Sequence, residues 1–302
     1  MTRRTTRAMK ARVAVASVAA ALLATTLGAA SASADTGSAN AAKIAKHTTA
    51  QQNRSFAAAS ADAAAPLPGL YGIDKNDWLY HYTPNGSGGL QAREPLGDYT
   101  GVIAAADADN DGDGYSDDAW IWTKNGDVYN TDSKKVGYGW TIYSKVLSPG
   151  NIAGAQGADV LARDKSGVLY AYLGYGDGTL TKRIKIGSGW NQYNQITGRG
   201  DLTGDGKADI VARDSAGVLW LYKGTGNVNS LFSAKVKIGA GWNQFNTLVG
   251  SGDIDLDGKA DLLARTSTGD LYLYKGTGSA SPVFAAKKKI GYGFSTYRLL
   301  YS

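Results

Sequence analysis

Gly252-Asp253-Ile254-Asp255-Leu256-Asp257-Gly258-Lys259-Ala260-Asp261 reads D-x-D-x-D-G-x-x-D, with carboxylates at alternate positions of a short, glycine-bearing run. In a tight loop such carboxylates converge on one point, and like charges a few ångströms apart repel strongly where water is scarce. A hard cation removes that repulsion. Calcium takes about 6–8 oxygens at roughly 2.3–2.6 Å, from carboxylates and main-chain carbonyls. Gly258 permits the turn that would wrap the loop around it.

The pattern recurs twice. Asp201-Leu202-Thr203-Gly204-Asp205-Gly206-Lys207-Ala208-Asp209 has Thr203 at the third position, and Asp109-Asn110-Asp111-Gly112-Asp113-Gly114-Tyr115-Ser116-Asp117 keeps every acid. About three Ca2+ sites are expected. Their side-chain ligands would be Asp109, Asp111, Asp113 and Asp117; Asp201, Thr203, Asp205 and Asp209; and Asp253, Asp255, Asp257 and Asp261. The seventh residue of each loop, Tyr115, Lys207 or Lys259, would give its carbonyl. The competing reading is a loop held by Asp-to-backbone turns alone. A fourth stretch, Asn151-Ile152-Ala153-Gly154-Ala155-Gln156-Gly157-Ala158-Asp159, has lost the acids at positions three and five and should be metal-free.

Around the loops the chain repeats. Arg163, Arg213 and Arg265 are spaced by 50 and 52 residues, and Trp140, Trp190, Trp242 and Phe294 by 50, 52 and 52. A fixed period of this size marks propeller blades or an array. Five units follow: 69–106, 107–150, 151–199, 200–251 and 252–302. Each holds about four short runs rich in β-forming residues, parted by Gly and Asp. Leu219-Trp220-Leu221-Tyr222 and Leu271-Tyr272-Leu273-Tyr274 are apolar on both faces, as strands packed between two neighbouring sheets must be. The first unit lacks a leading loop, and Thr296–Tyr301 supplies a spare strand to complete its sheet. The expected fold is all-β: a β-propeller of about five four-stranded blades, with an open stack as the alternative.

Composition agrees. Of the 26 acidic residues only Glu94 is Glu, the opposite of what helical surfaces favour. There are 40 Gly, 18 Tyr and 7 Trp, and no Cys, so core packing and metal must hold the fold without disulfides. Arg3, Arg4, Arg7, Lys10 and Arg12 precede an apolar run, Val13 to Ala30, and the small residues Ala32-Ser33-Ala34. Residues 1–34 read as a secretory signal peptide rather than a membrane anchor, whose span would need roughly 20 apolar residues. Residues 35–68 read as a flexible leader or propeptide. Without the five basic residues of the signal, the formal charge falls from +6 to +1, so nucleic acid is not an expected partner.

The loops resemble FG-GAP (also called VCBS) repeats, found in integrin-type propellers and many secreted bacterial proteins. Lys185-Ile186-Gly187-Ser188-Gly189-Trp190-Asn191-Gln192-Tyr193 and its copy at 237–245 are similar to the I-G-x-G-W-x-x-F signature of the tachylectins. That resemblance implies a five-bladed lectin for N-acetylated sugars. Trp140, Trp190 and Trp242 then have two readings: blade-to-blade packing, or sugar-stacking platforms flanked by Asn191, Gln192, Asn243 and Gln244. Arg163, Arg213 and Arg265 are expected in inter-blade salt bridges with Asp164, Asp214 or a neighbouring loop, with binding of an anionic ligand as the alternative. Catalysis finds little support: His47 and His81 are the only histidines, and no G-x-S-x-G or H-E-x-x-H occurs. The expectation is a secreted, extracellular, monomeric binding module, its partner an extracellular carbohydrate or a secreted protein. A polysaccharide lyase or hydrolase is the third possibility.

Overall fold

The computed structural model describes residues 69–111, 116–130, 134–155 and 157–302. The signal and leader readings, and the candidate ligands Asp113 and Tyr115, lie outside them. Among the described residues no helix is long and apolar enough to cross a membrane.

Among the described residues twenty strands form five antiparallel four-stranded sheets. The first sheet holds β1 (Leu70–Asp74), β2 (Trp78–Tyr82) and β3 (Glu94–Asp98). The second holds β4 (Val102–Ala108), β5 (Asp118–Thr123), β6 (Val128–Tyr129) and β7 (Lys135–Gly137). The third holds β8 (Tyr143–Gly150), β9 (Asp159–Asp164), β10 (Leu169–Tyr172) and β11 (Ile184–Gly187). The fourth holds β12 (Tyr193–Thr197), β13 (Ile210–Asp214), β14 (Leu219–Tyr222) and β15 (Val236–Gly239). The fifth holds β16 (Phe245–Gly252), β17 (Asp261–Thr266), β18 (Leu271–Tyr274) and β19 (Lys288–Gly291). The last strand, β20 (Tyr297–Tyr301), pairs with β1, so the C-terminus completes the first blade.

Strands β4, β8, β12, β16 and β20 touch one another in turn and surround the axis. The blades therefore begin one strand earlier than the sequence units, which begin at the loops. The repeat is the same; the cut point differs because β20 is shared across the closure.

Five apolar clusters fill the five junctions between neighbouring blades. Strand β13 shows how one sequence serves two of them: Ile210 and Ala212 face the third blade, while Val211 faces the fifth. The period of two in side-chain direction sends alternate residues to opposite faces, and both faces are interior. The second blade reaches the same filling differently. Trp120 and Trp122 pack against the small Ala104, Ala106 and Ala108 of its inner strand, keeping volume roughly constant.

Deleting residues 297–302 would strip the first blade of its inner strand and expose the apolar faces of two blades. The expected result is loss of the cooperative thermal transition seen in the full chain, followed by circular dichroism. A truncated protein that still melts cooperatively near the full-length midpoint would contradict closure through β20.

Candidate functional site

The acidic loops join the innermost strand of a blade to its second strand. In each, the ninth-position aspartate organises the backbone. Asp209 Oδ2 accepts the Leu202 N–H at 3.0 Å, and Oδ1 accepts the Gly224 N–H at 2.9 Å. Asp261 does the same with Ile254 at 2.9 Å and Gly276 at 2.8 Å. Asp159, in the loop without acids at positions three and five, accepts from Ile152, Ala153 and Gly174. The first task of this carboxylate is therefore structural, whether or not a metal binds. The first-position acids also hold turns: Asp253 accepts from the Asp257 and Gly258 N–H groups, and Asp201 from Thr203, Gly204 and Gly206. At the fourth position Leu256 takes the left-handed conformation, φ 65°, that Gly154 and Gly204 adopt in their loops.

These bonds leave charge unanswered. One carboxylate oxygen each of Asp253, Asp255 and Asp261 lie within 4.8 Å of one another, and all three residues are buried. Asp109, Asp111 and Asp117 converge to the same limit. Asp255 Oδ1 and Thr203 Oγ1, both at third positions, are buried with no hydrogen-bond partner among the described residues. An unpartnered buried oxygen is costly, and a carboxylate oxygen costs more than a neutral one. The donor set, hard oxygens on a glycine-bearing turn, fits a calcium ion. Other expected ligands lie differently. Asp205 is 3.2 Å from the Lys223 ammonium, and Asp257 is 3.6 Å from that of Lys259. The second loop does not close a carboxylate triad, having Thr203 in the third place. Lys207 and Lys259 keep their side chains in solvent and donate their N–H groups to Asp205 and Asp257.

Burial raises the ninth-position aspartates: Asp159 and Asp209 are pushed up to about 6 and Asp261 to about 7, against the pull of the backbone N–H donors. Neighbouring Asp255 adds to the rise at Asp261.

The loops also touch the next blade. A Cβ on Gly204 would lie 2.5 Å from the Gly278 carbonyl oxygen, and one on Gly154 would lie 2.4 Å from that of Gly226. Each loop thus sits against the outer turn of its neighbour, where an ion would brace the junction.

The tryptophans lie inside these junctions. Trp140, Trp190 and Trp242 are 8%, 7% and 7% exposed, too little for an open stacking face. Trp190 packs on Tyr222 with ring centroids 4.8 Å apart, and Trp242 on Tyr274 at 4.6 Å. Asn191 and Asn243 are exposed but donate to the Lys165 and Ser215 carbonyls, both at 3.1 Å. Gln192 and Gln244 donate to Gly189 and Gly241. The arginines differ from the expected salt bridges. Arg163 donates to the Trp190 and Tyr193 carbonyls, Arg213 to those of Trp242 and Phe245, and Arg265 to those of Phe294 and Tyr297. A guanidinium offers five donors, and the carbonyls at the entry to each inner strand take them, those of Trp190, Trp242 and Phe294 in addition to the backbone N–H they already accept. Asp164 and Asp214 cap their own turns instead.

A second repeated arrangement was not anticipated. Tyr82 and Tyr297 share a hydroxyl–hydroxyl bond of 2.6 Å, as do Tyr143 and Tyr172, and Tyr193 and Tyr222, both at 2.5 Å. A cation caps each pair. Arg93 donates to Tyr297 at 2.9 Å and lies 4.2 Å over the Tyr80 ring. Arg183 bonds Tyr143 and lies over Tyr170. Lys235 donates to Tyr193 at 3.0 Å and lies over Trp220. In the fifth blade Phe245 replaces the first tyrosine, and Lys287 lies over Tyr272. The sequence signal is Leu or Phe three residues before the cation: Leu90–Arg93, Leu180–Arg183, Phe232–Lys235 and Phe284–Lys287.

The FG-GAP-like repeat pattern matches residues 201–264, one full period from the second loop through the third. No curated protein matches the chain. Among solved structures it is similar to BBS1N in complex with ARL6DN, with 12% identity over 74% of this chain and 66% of that one, TM-score 0.36. Prp20p from Saccharomyces cerevisiae is 9% identical over 75% of this chain and 62% of that one, TM-score 0.36. Yeast RCC1 (Prp20) bound to Kap60 is 9% identical over 74% and 57%, TM-score 0.34. The chain spans about two thirds or less of the length of these structures.

Two outcomes are expected. Trp190→Ala should cost about 3–5 kcal/mol in urea denaturation, as large-to-small core changes do, while Asn191→Ala should cost under about 1 kcal/mol. An equal, small loss in both would place Trp190 outside the core. The second concerns pH. Asp159, Asp209 and Asp261 hold protons more tightly folded than unfolded, where aspartate titrates near 3.9. Their stabilising contribution is complete below about pH 4 and is lost as pH rises through 6 to 7. In excess chelator the melting midpoint should fall between pH 4 and pH 8; a flat or rising midpoint would contradict these environments.

Proposed function

We propose that this five-bladed propeller is a secreted, calcium-stabilised binding module whose ligand is an extracellular glycan. The carrying observation is the cation-capped tyrosine arrangement, repeated in the first, third and fourth blades and modified in the fifth. Sugars need apolar ring faces next to a few fixed polar groups. Here half-buried Tyr82, Tyr172 and Tyr222 supply rings and hydroxyls, and exposed Arg93, Arg183 and Lys235 supply donors. Weak sites set around a ring gain avidity on a repetitive polymer. The buried tryptophans then support the sites from beneath. Secretion rests on the basic head and apolar run of residues 1–34. Calcium would be held by Asp253, Asp255 and Asp261, by Asp109, Asp111 and Asp117, and by Thr203 with its loop's aspartates; what it supplies is charge neutralisation at the blade junctions.

A second reading, a scaffold for a secreted protein, is favoured by different residues. Tyr138 and Tyr292 are each 83% exposed, and Trp78 43%. Tyr138 and Tyr292 lie in the turns after β7 and β19, and Trp78 opens β2, all at the end of the blades opposite the loops, where rigid aromatics would serve a protein interface.

A glycan array in calcium buffer, including N-acetylated sugars, separates the two. The glycan reading expects binding that drops at least tenfold in Arg183→Ala/Lys235→Ala, with a melting midpoint within a few degrees of the parent. Silence across the array, with a secreted protein captured through Tyr138 and Tyr292, favours the scaffold. Excess EDTA should lower the melting midpoint; an unchanged curve removes calcium from the account.

A further inference from the structure

Two lysines hold the position where the loops need a counter-charge. Lys275 follows β18 and forms an ion pair with Asp255, whose carboxylate is 3% exposed and whose Oδ1 has no hydrogen-bond partner among the described residues. Lys223 follows β14 in the fourth blade and lies 3.2 Å from Asp205. The equivalent residue after β10 in the third blade is Leu173, half-buried against the apolar cluster. That blade's loop, 151–159, is the one without acids at positions three and five. In the first blade, which has no such loop, the position is Thr83. Lysine accompanies the acidic loops of the fourth and fifth blades, and an apolar or neutral residue stands where there is nothing to neutralise; the second blade's loop 109–117 keeps its acids with Asn130, not lysine, following β6.

We propose that Lys275 and Lys223 are tethered counter-ions that compete with the divalent cation for their loops. Without metal, the ammonium offsets the repulsion among the loop carboxylates, buried around Asp255 and partly exposed around Asp205, and keeps the blade junction closed. When metal binds, that same positive charge opposes it across a short gap, more strongly beside buried Asp255 than beside the partly exposed Asp205. The lysines thereby set the calcium concentration at which the loops fill, weakening the sites in exchange for a fold that survives metal loss. This rests on the calcium reading above and concerns the chain's own residues.

The test compares the full chain with Lys275→Leu, the residue the third blade carries at this place, and with Lys275→Arg, which keeps the charge. Lys223→Leu repeats the test on the second loop. Each is titrated with Ca2+ by calorimetry and melted in excess EDTA. Lys275→Leu should bind calcium about tenfold more tightly at one site and melt several degrees lower without metal. Lys275→Arg should match the parent in both. A parent that binds calcium, with leucine variants that bind no more tightly, overturns the competition while leaving the calcium reading intact. Leucine variants that melt like the parent in EDTA also overturn it. A parent that takes up no calcium defeats the calcium reading and this inference together.

Discussion

A sheet with two apolar faces cannot end in water, and this constraint shapes the whole ring. Strands such as Ile210–Asp214 send aliphatic side chains to both sides, so every blade needs a neighbour on each face. A linear stack of five would leave two uncovered faces. Pairing of β20 with β1 removes both at once and also takes the edge of β1 out of solvent. The closing strand is short, but it carries Tyr297, Leu300 and Tyr301, which enter the clusters on both sides of the first blade.

Within that ring the loops present an electrostatic problem that hydrogen bonds solve only in part. Loop 151–159 shows the solved case: Asp159 alone is buried, and three backbone N–H groups answer it. Loop 253–261 uses the same framework around Asp261 and then adds Asp253 and Asp255 in the same buried space. The backbone has no further donors for Asp255 Oδ1. The difference between the two loops is surplus negative charge, which must be met by a cation, whether a side-chain ammonium or a metal.

Much of the architecture was legible because two periods coexist in the sequence. Alternation within Leu271-Tyr272-Leu273-Tyr274 gave strands, and spacings of 50 and 52 gave blades. What was misjudged depended on partners that a sequence does not display. Arginine after an apolar strand was matched to aspartate because charge suggests charge. The structure matches it to carbonyls, since Asp164 and Asp214 are already committed to their turns. The tyrosine pairs were missed because their members sit on the first and third strands of a blade. Tyr143–Tyr172 and Tyr193–Tyr222 share a separation of 29 residues, a signal that becomes visible only once the intervening strand is known.

Each junction is packed along its length, and four of the five are also clamped by an arginine, though not always from the same position. At the end away from the loops, Arg163, Arg213 and Arg265 reach forward to the carbonyls where the next inner strand begins. In the first blade Ile73 stands in the arginine's place, and Arg298, from the inner strand itself, reaches the Val102 carbonyl instead. The acceptor is kept while the donor moves. In the second blade the position is Trp122, which fills the junction with its ring and leaves its N–H without a hydrogen-bond partner among the described residues. There apolar volume replaces the polar clamp, and the small inner-strand alanines make room for it. The ring thus requires that each junction be filled, by a donor reaching the entry carbonyl in four of them and by apolar volume in the one behind Trp122, and it tolerates different residues doing so.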